Sequence, residues 1–336
     1  MTPAAAYEVL CPSRLSRTSE PTNRALVSEV WRGMLFRPRS LSPWMFYDAR
    51  GSRLFERITT LPEYYLTRTE RCILSTHANE IVNAARESTE SPLRFVELGA
   101  GTASKTGILL EQAARAQGEV LYMPADVSPE ALDAASTSIS HKLHRVRVEP
   151  IVANYVTDPP RLQPFDGHTL ALYIGSSIGN FSPQEARDIL RNLRSQLRTG
   201  DALLLGTDMV KDEEVLLAAY DDAEGVTAAF NLNILCRLNR ELGADFDLAC
   251  FRHRAVWNGA ESRIEMHLES LRDQRVRIPK AWVSIQFTAG ETIHTENSYK
   301  FVRKDVRDLL LDTGFKAERT WQDEHAWYAV TLGRVL

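Results

Sequence analysis

Between residues 93 and 206, short apolar runs alternate with amphipathic helical segments, and this rhythm constrains the fold more than any other feature of the chain. The apolar runs cover 93–98, 120–125, 146–152, 170–175 and 202–206. Helical periodicity fills 106–116, 129–143 and 183–198, the last with Ala186, Ile189, Leu190, Leu193 and Leu197 on one stripe. Strands alternating with helices of this length predict right-handed βαβ units and a doubly wound, mostly parallel α/β sheet.

The rhythm breaks after residue 208. Residues 212–243 read as largely helical, and 246–299 hold alternating, strand-like segments such as 282–287. A helix over 302–311 and two strands, 317–321 and 326–332, close the chain. Upstream, helices are expected at 23–34, 52–60 and 67–85, with 86–92 as a loop. The expected organisation is a doubly wound domain made of 69–207 and 300–336. An α+β module is assembled from 1–68 and 208–299. At 336 residues the chain exceeds the ~100–200 of a usual single domain, so its length allows one large or two modest domains.

Forty Lys and Arg against 44 Asp and Glu leave a net charge of -4. No basic field draws the chain to nucleic acid or an anionic membrane. No apolar run approaches the ~20 residues of a membrane span, and the first residues lack a basic and apolar leader, so a cytoplasmic protein is expected, taken to be a monomer although no residue pattern reports its oligomeric state. Cys11, Cys72, Cys236 and Cys250 are scattered, without CxxC spacing. With no HExxH and no acidic cluster either, the sequence predicts reduced thiols and no metal.

Three segments offer chemistry. The first, 96–106, follows an expected strand and opens a helix, with Gly99 and Gly101 free to turn sharply and approach a ligand. Ser104 stands where a dinucleotide fingerprint has its third glycine. Glu97 completes an acid-x-Gly-x-Gly pattern that resembles the first motif of class I S-adenosylmethionine (SAM) methyltransferases. Second, Asp126 ends the next strand, where a carboxylate accepts hydrogen bonds from both ribose hydroxyls of a nucleoside; the lesser reading is an acid that begins the following helix. After the third strand, Asn154 can pair with an adenine. Third, the loop 175–183, rich in Gly, Ser and Asn, either addresses a ligand at the carboxyl end of its strand or is a turn in which Asn180 or Ser182 caps a helix.

With the blocks 44–48, 61–70, 205–212, 219–231 and 264–266, these segments resemble the SAM-dependent L-histidine Nα-methyltransferases of ergothioneine biosynthesis. The resemblance runs from about residue 25 to the C-terminus. It implies a class I methyltransferase sheet with an inserted α+β substrate-binding domain, SAM as cofactor with S-adenosylhomocysteine as product, and L-histidine as substrate. Three methyl transfers to the α-amine give hercynine, the first step of ergothioneine biosynthesis. It places Glu97, Gly99, Gly101, Lys105, Asp126, Asn154, Tyr155, Gly175 and Ser177 at the cofactor. Tyr64, Asn180, Tyr220 and Met266 fall to the substrate, Tyr47 to the reacting amine, and Glu296 with Ser298 to the imidazole.

The residue types suit those tasks. Imidazole presents a donor and an acceptor, or two donors when charged. A carboxylate and a hydroxyl two residues apart on a strand face the same way and together read both nitrogens. Each residue also has a plainer reading: the tyrosines as half-buried packing, Glu296 as a surface acid, and His294 as an exposed or structural histidine. The rival activities are methylation of another amino acid such as a tryptophan derivative, nicotinamide-dependent redox chemistry, and SAM binding without turnover.

Overall fold

The structure, a computed structural model, describes residues 20–86, 91–101, 103–154, 156 and 161–336. In chain order the first elements are α1 (Glu20–Met34), β1 (Arg39–Ser40), α2 (Ala49–Ile58), α3 (Tyr65–Arg86), β2 (Leu93–Leu98), α4 (Thr106–Gln117), β3 (Val120–Asp126) and α5 (Pro129–Lys142). They are followed by β4 (Val146–Val148), β5 (Ile151–Val152), β6 (His168–Tyr173), α6 (Pro183–Arg194), β7 (Ala202–Asp208), α7 (Glu213–Tyr220) and α8 (Val226–Leu242). The chain closes with β8 (Phe251–Asn258), β9 (Arg263–Ser270), β10 (Gln274–Ile278), β11 (Val283–Phe287), β12 (Thr292–Tyr299), α9 (Arg303–Asp312), β13 (Phe315–Gln322) and β14 (Tyr328–Val335). These fall into two compact units: Leu66–Val210 with Tyr299–Leu336, and Lys211–Ser298 with the described part of Met1–Tyr65.

The first unit is the α/β sheet expected from the alternation. Its strand order is β13-β14-β7-β6-β2-β3-β4, with β5 also paired to β3. The strands from β4 to β7 run parallel, and β14 lies antiparallel between β7 and β13. Every residue of β2, β7 and β14 is buried, as in strands covered on both faces. The chain leaves β2 toward β3 on one side and returns to β6 on the other, which opens a ligand crevice at the carboxyl end of β2. In α6, Ser182 and Glu185 form a reciprocal capping box and Pro183 holds the first turn. The helix stops at Arg194, short of the expected 198, but Leu197 still joins the core with Ile189, Leu190 and Leu193.

In the second unit β1, β12, β9 and β8 form one sheet in that order, beside the β10–β11 hairpin. α8 is buried on nearly every side and packs on β8, β9 and α2. Several of its polar side chains tie it to its neighbours. Asn231 reaches His253, the His267 carbonyl and Thr295, and Asn233 donates to Asp48.

Three local expectations are corrected. The run 146–152 is two short strands, because Pro150 has no N–H to continue the ladder. The helical stretch 212–243 breaks at Gly225 (φ +74°), where the Asp222 carboxylate accepts from Val226 and Thr227. The strand expected from 282 starts at Val283, since Trp282 is left-handed (φ +56°) and 91% exposed. Among the described residues no helix is long and apolar enough to cross a membrane. Cys72, Cys236 and Cys250 are free thiols, and Cys11 lies outside the described residues.

Candidate active site

At the end of β2 the backbone turns at Gly99 (φ +67°), whose N–H donates to the Ala125 carbonyl at 2.8 Å. Gly101 follows at φ +51°, exposed, with open space where a side chain would be; Thr102 lies outside the described residues. Glu97 is 2% exposed and turns inward, where both its oxygens accept from Thr106 (2.7 and 2.8 Å) and one accepts from Tyr122. It therefore braces the glycine loop and the first turn of α4 from below. Burial pushes its carboxyl up to about 7, against the opposing hydrogen bonds of Tyr122 and Thr106.

Asp126 is half-buried at the end of β3. One oxygen accepts from Ser128 N–H at 3.0 Å and the other faces Gly101 N–H at 3.5 Å. Ser128, not Asp126, caps α5. A carboxylate with both oxygens so fixed retains lone pairs for two hydroxyls. Asn154 is exposed, its carbonyl accepting from Val156 N–H at 3.1 Å, and Tyr155 lies outside the described residues.

The loop after β6 is organised around a residue to which the sequence had assigned no role. Glu70, fully buried on α3, accepts from Gly175 N–H with both oxygens (2.8 and 3.0 Å), from Tyr328 Oη at 2.7 Å, and from Lys105 Nζ. A Cβ at Gly206 would come within 2.2 Å of Glu70, so the glycine makes room for the carboxylate. Glu70 sits inside the block 61–70, but spacing alone offers nothing that marks it. Ser176 (φ +57°) accepts from Asp208 N–H, and Asp208 pairs with Lys300 at 2.7 Å, both side chains fully buried. Ser177 donates to the Ile174 carbonyl at 3.4 Å, and Asn180 ends the short 3-10 turn that follows. Ser182 does the capping.

The other unit gathers the expected substrate residues apart from Asn180. Tyr220, at the end of α7, has its hydroxyl 2.7 Å from that of Ser298 on β12. Glu296, two residues earlier, is 9% exposed, and Met266 on β9 is buried. The Tyr64 ring meets Tyr220 edge-on at 6.3 Å and Phe55 at 6.4 Å, and Phe55 meets Tyr47 at 5.9 Å. Phe230 packs against Tyr47, Phe55 and Phe46, giving an aromatic wall of which the sequence motifs mark only the tyrosines. His253 holds the Tyr220 carbonyl at 2.8 Å, and burial lowers its pKa. Thr295 ties β12 to β9 through the Met266 carbonyl at 3.0 Å. Glu265, His267 and His294 also converge on these two strands, a group no single stretch of sequence displays.

Residues 26–335 match the histidine-specific, SAM-dependent methyltransferases. The chain belongs to that family. The histidine N-alpha-methyltransferases of Mycolicibacterium smegmatis and Mycobacterium tuberculosis are each 42% identical to it, over 308 and 312 residues, 92% of this chain and 94% of theirs. The N-methyltransferase fsqC of Aspergillus fumigatus is 29% identical over 314 residues, 91% of this chain and 83% of its own.

Asp126 and Lys105 stand beside the glycine turns that follow β2 and β6, respectively. Gly175 (φ +81°) leaves open the space where a Cβ would stand 3.4 Å from Lys105 Nζ. That ammonium already pairs with Glu70 and has further N–H donors for a second carboxylate, and the Asp126 carboxylate suits a diol. Glu97 contributes by holding the loop, with its oxygens already engaged.

Proposed function

We propose that this histidine-specific methyltransferase transfers three methyl groups to the α-amine of L-histidine, giving Nα,Nα,Nα-trimethyl-L-histidine (hercynine), the first step of ergothioneine biosynthesis. The observation that supports the substrate is the Glu296–Ser298 pair, a buried carboxylate beside a hydroxyl that Tyr220 holds at 2.7 Å. The carboxylate accepts the proton of one imidazole nitrogen and the hydroxyl serves the other. Leucine or phenylalanine would leave the buried acid without that bond, which penalises them. Met266 supplies an adaptable wall. Tyr64, Tyr220 and Asn180 are assigned to the amino-acid substrate, the last two to its backbone.

When bound, SAM supplies a methyl group already activated by its sulfonium. The protein's part is then mainly proximity and alignment, which reaches roughly 7–11 kcal/mol in well-oriented reactions. Gly99, Gly101, Lys105, Asp126, Asn154, Tyr155, Gly175 and Ser177 are assigned to holding SAM. Tyr47 orients the α-amine, which must lose a proton before each attack that still has one to lose. Tyrosine faces favour the permanent cation of the trimethylated product by about 0.5–2 kcal/mol.

The test is incubation of the purified protein with SAM and L-histidine, read by mass spectrometry, with the other amino acids in parallel. Histidine gaining three methyl groups supports the reading. Methylation of another amino acid would overturn the imidazole assignment while leaving the family intact. SAM binding without turnover on any amino acid would overturn the activity.

A further inference from the structure

One cluster of side chains has a donor set for which methyl transfer has no use. Glu265 and His267 stand two residues apart on β9, and His294 lies near the start of β12. One donor atom from each lies within 4.8 Å of the other two, and this is the one group of its kind among the described residues. The two imidazole rings are 5.1 Å apart.

The donors are held by neighbouring groups. Oε1 of Glu265 accepts from Arg263 and Asn258 at 2.8 and 2.9 Å, while Oε2 is turned to His267 Nε2 at 3.1 Å. His294 Nε2 lies 2.9 Å from the Asn297 side-chain oxygen, and the ring is also held by a hydrogen bond to the Glu296 backbone. His267 Nδ1 is buried with no hydrogen-bond partner. Oxygens that fix the tautomer and orientation of a ring are the usual outer support of metal-binding histidines. The ion pair of Glu265 with Arg263 accounts for the acid, but not for the second imidazole beside it.

We propose that Glu265, His267 and His294 form a binding site for a divalent transition-metal ion, Zn2+ first among them, joining β9 to β12. Two imidazoles and one carboxylate suit such an ion, whereas Mg2+ and Ca2+ prefer all-oxygen sites. Donor atoms around tetrahedral zinc stand roughly 3.3 Å apart, from Zn–N distances of about 2.0–2.1 Å. Closing from 4.8 Å is a matter of side-chain rotation. Side chains of His267 and Glu265 are 16% and 15% exposed, which leaves water access to a fourth position. Met266 lies between two of the ligands, and Glu296 follows the third by two residues. The ion therefore clamps the strands that hold these side chains. The site is independent of the methylation reading, since it rests on ligand geometry alone.

The full-length protein, stripped with a chelator and free of histidine and SAM, is titrated with ZnCl2 by calorimetry, and thermal midpoints are recorded with and without zinc. One Zn2+ per chain and a raised midpoint are expected, with the visible d–d absorption of tetrahedral Co2+ when cobalt replaces zinc. His267→Gln and His294→Gln each weaken zinc binding at least tenfold, while Cys72→Ser and Cys250→Ser leave it unchanged. Matching circular dichroism of the metal-free proteins identifies folded variants, and if one histidine variant fails to fold the other decides. No saturable zinc binding, or binding that a folded histidine variant leaves intact, overturns the site.

Discussion

The hydroxyls of Tyr220 and Ser298 stand 2.7 Å apart, joining the end of α7 to the strand that also bears Glu296. Loss of one member of such a buried pair typically costs about 1–1.5 kcal/mol. Ser298→Ala is therefore expected to raise KM for histidine roughly 5–10-fold with kcat nearly unchanged, the pattern of uniform binding. Glu296→Ala removes a charged acceptor worth about 2–3 kcal/mol, so kcat/KM for histidine falls roughly 30–150-fold. Steady-state kinetics on both variants check this, and a Ser298→Ala defect confined to kcat would contradict it.

Glu70 links the Gly175 loop, Lys105 and Tyr328 through one carboxylate. Glu70→Gln keeps an acceptor for Gly175 and Tyr328 but removes the charge facing the ammonium. Calorimetric titration is expected to show SAM affinity weakened about tenfold, or ~1.4 kcal/mol. Unchanged affinity would mean that Glu70 serves stability alone. Gly206→Ala, whose new methyl would stand 2.2 Å from Glu70, should cost the ~1–3 kcal/mol of stability typical of overpacking, read as a lower thermal midpoint.

The Glu97 carboxyl titrates at about 7 when folded, against an ordinary value of 4.5, chiefly because it is buried. A raised pKa means that the folded state holds the proton more tightly. Its stabilising contribution is full below 4.5 and is lost as pH rises through 7. By linkage the span is about 3 kcal/mol. Glu97→Gln, neutral at every pH, should therefore gain stability relative to the parent between pH 5 and pH 8. Denaturant melts of both proteins at four pH values test this, and a constant difference would refute it.

Tyr47 is 45% exposed and contacts Phe55 and Phe230 through its ring, so Tyr47→Phe preserves the packing. If the hydroxyl orients the amine, turnover falls about tenfold, less than the roughly 10²–10⁴-fold of full acid–base catalysis. Mono- and dimethylated histidine should then accumulate in mass-spectrometric time courses. Wild-type rates for all three transfers would make the hydroxyl dispensable.

Much of the α/β unit was legible because its signals are local. A parallel strand buried on both faces reads as an apolar run, and α6 carries its capping box and its stripe in consecutive residues. The breaks at Pro150 and Gly225 were present as letters, yet the surrounding apolar runs masked them. Trp282 shows the converse. An aromatic residue with strand propensity sits outside the strand because the turn after β10 demands a left-handed residue there.

The sequence by itself determined the alternation of strand and helix, the glycines at the ends of β2 and β6, and the family to which the chain belongs. Only the tertiary structure decided what the acids do. It turned Glu97 inward to Thr106 and Tyr122, and made Glu70 an acceptor shared by residues 35, 105 and 258 positions away. It also brought His294 to Glu265 and His267 across two strands. Periodicity reports which face of an element is buried, whereas the partners of a buried charge depend on strand order and register, which sequence-distant pairing sets.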